Sequence, residues 1–330
     1  MKGSPGGLEP ARALTRRDWH TLVLGGLVAA PLAGWAARQK PDSRIAGVRV
    51  GVQTYSFRDR PLDRAIGDMA GIGLSYCELW SSHLEDPTSI PPTSERPGEI
   101  HRRWLRESSL EVPARVRERF DRAGVTLTAY NPQIKGNYSD EEIARVFEMA
   151  RALRVNVVTV SSPMSVAPRL EPFAERFGIT VAFHNHSRDR NGTGEATTPE
   201  DFDGLLRLHP RWIAANLDVG HFTGAGFDAM AVLERHHDRI PSLHLKDKTR
   251  EGDRDVLWGE GDAPIAAVLR TLRDRRWDIP VQIEYEYRGQ DTITEVARCY
   301  QYCRQALGVP GSAFRVLGSP FPVSGSQSSR

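Results

Sequence analysis

Four short polar clusters carry the chemistry of this sequence: His184-Asn185-His186, Asp218-Val219-Gly220-His221, His244-Leu245-Lys246-Asp247 and Glu284-Tyr285-Glu286. Each closes a short apolar run and precedes a loop and a helical pattern. Imidazoles and carboxylates delivered from the ends of several parallel strands are what a mononuclear metal site at the C-terminal face of a β/α barrel needs. His184, Asp218, His244 and Glu284 are the expected ligands, because all four fall on the inward alternation of their strands. Two imidazoles and two carboxylates suit one divalent ion, with Mn, Co, Zn or Fe ahead of Mg. The competing reading is a buried polar network that holds no metal.

The elements that must position these groups alternate along the chain. Strand-like runs occupy Val48–Ser56, Ser75–Trp80, Val125–Asn131, Val155–Ser161, Ile179–His184, Trp212–Asp218, Ser242–Lys246 and Val281–Tyr285. Helical patterns fall between them, for example Asp140–Leu153, Pro199–Leu208, Asp228–Arg239 and Ile265–Arg275. This alternation calls for a parallel sheet with crossover helices, and eight units predict a single closed (β/α)8 TIM barrel. No G-x-G-x-x-G follows the first strand, so an open dinucleotide-binding sheet has no support. Several strands alternate apolar and polar residues where fully buried parallel strands are usually apolar throughout. Ile213, Ala215 and Leu217 share one face, and Asn216 and Asp218 take the other. Val125 and Leu127 oppose Thr126, Thr128 and Tyr130. Polar side chains inside a barrel cost free energy unless they are hydrogen-bonded or bind something, which marks the interior as a site. A long excursion, Ser81–Leu110, and a Gly-rich loop, Thr249–Asp262, are expected at the functional rim.

The 330 residues carry a formal net charge of only +2, with basic and acidic groups interleaved, which argues against a nucleic-acid partner. Cys77, Cys299 and Cys303 do not form a disulfide framework. Ahead of the barrel, Thr15-Arg16-Arg17-Asp18-Trp19 precedes an apolar stretch from Leu22 to Trp35, with small residues around Ala36. This arrangement resembles a twin-arginine export signal. The expected organisation is signal 1–36, linker 37–46, barrel 47–310 and a loose Ser/Gly/Pro-rich tail 311–330. The product would be exported or periplasmic without stable membrane insertion, or anchored by an uncleaved signal.

With its clusters in place the chain resembles the xylose-isomerase-like barrel superfamily, from about Val48 to Leu307. Asp218-Val219-Gly220-His221 matches the strand-six motif of that family, where the Asp binds metal and the later His contacts substrate. His244-Leu245-Lys246-Asp247 matches strand seven, whose His is a ligand, and Glu284 matches the strand-eight Glu. The family commonly has a Glu at the end of strand five, whereas this chain has His184. That departure resembles a branch close to inosose dehydratase and to enzymes of 3-keto-glycosides. The resemblance implies metal-assisted proton abstraction beside the carbonyl of a sugar or keto-sugar, through an enediolate. The outcome is isomerisation or epimerisation, or else loss of a β-substituent as in a lyase or dehydratase. Endonuclease IV shares the fold, but its further metal ligands have no counterpart in Val256-Leu257-Trp258-Gly259. A non-catalytic sugar binder is a third reading.

Around the ligands, Lys246 is expected to polarise a carbonyl or transfer a proton, or to pair with Glu284 or Glu286. His186 is read as a proton shuttle or as a loop residue, and Glu284 as a ligand with a part in catalysis. Tyr55, Glu78, His83, His221, Arg250 and Trp258 are the expected substrate contacts. Core packing competes for Tyr55, and a solvated surface position for Arg250.

Overall fold

The computed structural model describes residues 40–85, 97–189, 192 and 194–309. The expected export signal and tail lie outside them. The chain opens with β1 (Arg44–Ile45) and β2 (Val48–Gln53), then α1 (Leu62–Ile72), β3 (Tyr76–Trp80), α2 (Pro97–Glu107), α3 (Glu111–Ala123) and β4 (Thr126–Asn131). It continues with α4 (Asp140–Ala152), β5 (Val157–Val160), α5 (Ala167–Phe177), β6 (Thr180–His184), α6 (Pro199–Leu208) and β7 (Ile213–Asp218). The last elements are α7 (Val219–Gly224), α8 (Ala229–His236), β8 (Ser242–Leu245), α9 (Ile265–Arg275), β9 (Val281–Ile283) and α10 (Thr292–Ala306).

Strands β2 to β9 pair in sequence order, all parallel, and β2 pairs with β9 to close the barrel. The eight expected strands are therefore the eight staves. Residues 44–45, expected within a linker, instead pair antiparallel with β2, Arg44 against Arg49 and Ile45 against Val48. Outward residues such as Val52, Leu79, Phe183, Leu217, Leu245 and Ile283 pack in one buried cluster with the helix ring. Burying such a side chain stabilises the fold by about 1.5–3 kcal/mol. Helix boundaries follow local chemistry. Ser139 and Glu142 form a capping box at α4, as do Thr198 and Asp201 at α6, where Pro199 sits in the first turn.

One strand breaks the expected alternation. Between β3 and β4 the register shifts, so Cys77 faces Leu127 but Glu78 faces Ala129, and Thr128 is the extra residue. Beyond it the faces exchange. Tyr130 joins the outer core and donates its hydroxyl to buried Glu85, while Asn131 turns inward. The excursion after β3 is also not all loop, because α2 occupies part of it. Arg102 and Arg106 of α2 both pair with the fully buried carboxylate of Glu142 on α4. His101 of α2 lies 2.5 Å from Glu85. These contacts pin α2 to the barrel flank, and α2 contributes nothing to the cavity at the strand ends.

Helix α7 follows β7 with no intervening loop and runs close to the end of β8. A Cβ on Gly220 would lie 2.5 Å from the Lys246 carbonyl oxygen and 2.3 Å from its Cγ. Backbone cannot give way there cheaply. Gly220→Ala is therefore expected to destabilise the fold by about 1–3 kcal/mol. Urea denaturation checks this, and an unchanged midpoint would contradict it.

Candidate metal centre

The C-terminal ends of β6, β7, β8 and β9 bring His184, Asp218, His244 and Glu284 together. One ligand atom from each lies within 4.8 Å of the other three, and all four residues are buried. Ligand atoms about 2.0–2.2 Å from one ion lie roughly 3–4.5 Å apart, so the spacing of the set suits a divalent ion. Asp218 supports the fit. Its Oδ1 accepts from the His221 backbone N–H, but its buried Oδ2 receives no well-aligned hydrogen bond. The polar neighbours of that oxygen are Lys246 Nζ at 3.2 Å and His184 Nε2 at 3.9 Å.

The hydrogen bonds behind the ligands fix how they face. The Asn216 amide donates to the Ser242 carbonyl at 3.0 Å, so its Oδ1 is left to accept from His184 Nδ1 at 2.8 Å. His184 is then protonated on Nδ1, and its Nε2 lone pair points towards Asp218. Burial, reinforced by His244 and His186, holds the His184 pKa well below the ordinary range, so the ring is neutral. His244 is placed differently. Its Nε2 lies 2.9 Å from Glu78 and its Nδ1 3.0 Å from Glu284. Burial opposes charge on His244, but the two carboxylates prevail and hold it as an imidazolium.

Lys246 occupies the middle of the charge pattern. Its Nζ lies 2.6 Å from Glu286, 2.9 Å from Glu284 and 3.2 Å from His221 Nε2. Burial disfavours the ammonium, but Asp218, Glu284 and Glu286 together keep it charged. Glu284 is held well below the usual carboxylate range, since Lys246 and His244 outweigh its burial. Asp218 is pushed up to about 6, mainly by burial, with Lys246 acting against the shift.

Above these groups opens a cavity of about 480 Å³. His184, His186, His221, Lys246 and Glu284 line it, as do Tyr55 and Trp80. Tyr55 and Trp80 meet edge to face at 5.0 Å, and Arg58 lies 4.6 Å over the Tyr55 ring. His186 is flanked by His184 and His221, with ring centres 4.9 and 5.1 Å away. Its Nδ1 lies 2.9 Å from Glu195, an ion-pair contact off the line of a good hydrogen bond. Burial lowers the His186 pKa, and Glu195 works against it.

Four expected substrate contacts are placed elsewhere. Glu78 is fully buried beneath the cavity, bound to Thr159 and His244, because its strand position points into the barrel below the rim. His83 turns away behind Trp80 and bonds the Arg60 carbonyl at 3.0 Å. Arg250 is exposed and bonds the Gly226 carbonyl. Trp258 packs edge to face on Tyr302 of α10 and does not line the cavity. The loop carrying Arg250 and Trp258 is held by Asp247, which accepts backbone N–H bonds from Gly259, Gly261 and Ala263. Lys248 and Asp255 of that segment line the cavity instead, as do Arg58, Asn131 and Glu195. No periodic pattern marks these five. Asn131 was hidden by the bulge, and the others sit on loops.

A family model described as xylose isomerase-like TIM barrel matches residues 69–303. The inosose dehydratase of Lacticaseibacillus casei is 34% identical over 165 residues, 44% of this chain and 54% of that protein. The inosose dehydratase of Salmonella typhimurium is 34% identical over 82 residues, 25% of this chain and 26% of that protein. The chain thus spans between about a quarter and a half of the length of these curated relatives. Among solved structures, 3-keto-D-glucoside 4-epimerase from E. coli aligns with a TM-score of 0.59 at 14% identity, covering 78% of this chain and 99% of that one. D-allulose 3-epimerase from Methylomonas sp., in complex with D-allulose, aligns with a TM-score of 0.57 at 12% identity, covering 78% and 97%. At these identities the structural likeness speaks for the fold alone.

Two expectations follow for a divalent ion at this centre. Asn216→Leu removes the acceptor that orients His184, and it should weaken metal binding about 10–100-fold in a competition titration. Unchanged affinity would contradict the role of the amide. Ligation also requires an ionised Asp218, which keeps its proton below about pH 6, and a neutral His244, which keeps its extra proton to higher pH. Affinity should therefore climb as pH rises from 5 to 8, and a flat profile would contradict that ligand set.

Proposed function

Because the chain belongs to the xylose isomerase-like TIM barrel family, we propose that it is a metal-dependent enzyme that removes a proton beside the carbonyl of a sugar or keto-sugar. The observation that carries this reading is the convergence of His184, Asp218, His244 and Glu284 under a cavity walled by two further imidazoles. A divalent ion held by those four residues would supply Lewis-acid polarisation of the carbonyl.

His186 is the proposed base. Its neutral ring lies in the cavity wall, and Glu195 beside Nδ1 would stabilise the imidazolium formed when Nε2 accepts the proton. Lys246 stays charged among its carboxylates and can donate to a substrate oxygen that gains negative charge. Glu284 is engaged by both His244 and Lys246, which leaves it a poor base and a good ligand. Tyr55 and Trp80 offer a face for the apolar side of a sugar ring. Return of the proton to another atom or face gives isomerisation or epimerisation.

Elimination is the second reading, as in a lyase or dehydratase acting on a 3-keto-glycoside or inosose-like substrate. Two observations favour it. The curated relatives include inosose dehydratases. His186 also shares the cavity wall with the charged Lys246 ammonium, so the imidazole can take a proton while the ammonium gives one to a leaving oxygen. Export through the Arg16-Arg17 segment is part of the proposal, and it favours unphosphorylated substrates.

Incubation of metal-loaded protein with 3-keto-glycosides and free ketoses in deuterated water tests the reading. Deuterium uptake with the skeleton intact is the result expected for isomerase or epimerase chemistry. Release of aglycone or water marks elimination. Neither change, with metal bound, would overturn catalysis in favour of a sugar-binding role. His186→Ala should lower kcat by about 10²–10⁴-fold while metal content is retained, and full activity would exclude it as the base.

A further inference from the structure

His221 lines the cavity, and its far side is wired to a loop that supplies none of the four candidate ligands. His221 Nδ1 lies 2.9 Å from Ser187 Oγ, and Ser187 Oγ donates to Asp253 Oδ1 at 2.7 Å. Asp253 is held by Lys248, 2.8 Å from the same oxygen, and by Arg188, 3.3 Å from Oδ2. Lys248 is itself almost fully buried. The fit is close: a Cβ on Gly224 would lie 2.1 Å from Asp253 Oδ1. Asp253 takes this position with φ at 51°, a left-handed backbone that a non-glycine residue adopts at some cost.

Proton counting then decides the tautomer. A serine hydroxyl has one proton to give, and an ionised carboxylate is the stronger acceptor of the two groups facing Ser187. Burial works against ionisation of Asp253, but Lys248 and Ser187 overcome it and keep the carboxylate charged. With its proton committed to Asp253, Ser187 must accept from His221 Nδ1–H. The Nε2 lone pair is left facing the cavity; Lys246 Nζ stands 3.2 Å away, but its three protons have the stronger acceptors Glu286, Glu284 and Asp218 to go to.

We propose that Asp253, acting through Ser187, is a positioning residue that locks His221 in the Nδ1–H tautomer, so that the cavity presents an imidazole acceptor to a substrate hydroxyl. This rests on the proposed sugar chemistry for its use but not for its test. It names the hydrogen-bonding character of one subsite: the substrate must bring an O–H donor to His221 Nε2. A substrate with a carbonyl or ether oxygen at that place would face lone pair against lone pair. Because Ser187 follows β6 and Asp253 precedes α9, the relay also couples two rim loops to one catalytic wall.

The test is a two-bond proton–nitrogen NMR spectrum of zinc-loaded and metal-free protein labelled with ¹⁵N-histidine. His221 is identified by its loss in His221→Gln. The expected result is a protonated Nδ1 and an unprotonated Nε2. Ser187→Ala and Gly224→Ala should each shift the ring towards the Nε2–H form, whereas Ser187→Thr, which keeps the hydroxyl, should restore the original spectrum. If an active substrate is found, Ser187→Ala should cost about tenfold in kcat/KM and cost nothing more when added to His221→Gln. Nε2 protonation in the unaltered protein, or a spectrum indifferent to Ser187→Ala in a folded variant, would overturn the proposal. The tautomer is decided whether or not any sugar reacts, so loss of this inference and loss of the proposed activity are separable.

Discussion

Asp218, Glu284 and Glu78 place three buried carboxyl groups in the barrel interior, beneath the cavity at its C-terminal rim. Two like charges at the spacing of the ligand atoms repel by roughly 3–4 kcal/mol even at an effective dielectric of about 20. That repulsion, with the desolvation of each group, must be answered by cations held at fixed positions. Lys246 and His244 answer it from β8, at 3.2 Å or less from the acids they face. The neutral imidazoles of His184 and His221 complete the arrangement without adding charge. Most other features of the rim, from the Asn216 amide to the close passage of Gly220 over Lys246, serve to hold these groups in register.

A barrel answers this demand because closure leaves strand ends pointing at a common axis. Successive residues alternate between core and interior, so a strand can offer an apolar side chain to the helices and a polar one to the centre. The same alternation made the centre legible in the sequence. His184, Asp218, His244 and Glu284 each follow an apolar run, and the interior set was readable two residues at a time. The strands themselves were visible because each apolar run is bounded by turn residues and followed by a helical pattern.

What could not be read has physical reasons. One extra residue at Thr128 reversed the faces of Tyr130 and Asn131, and nothing in composition announces a bulge. Glu78 was expected at the substrate because it ends a strand, but inward position does not say how deep a side chain lies. Glu195, Ser187 and Asp253 sit on loops, where position depends on hydrogen bonds such as those of Asp247 and not on any period. Trp258 and Arg250 were drawn to the site by residue type alone, and the same loop packing turns them outward.

The account depends on a single ion being held by side chains from four different strands. A crystal of manganese-loaded protein, measured at the metal absorption edge, tests this most directly. It predicts one anomalous peak within about 2.0–2.3 Å of ligand atoms from His184, Asp218, His244 and Glu284. A manganese-saturated crystal with no peak among these four residues, and Lys246 alone bridging Asp218 and Glu284, would contradict it.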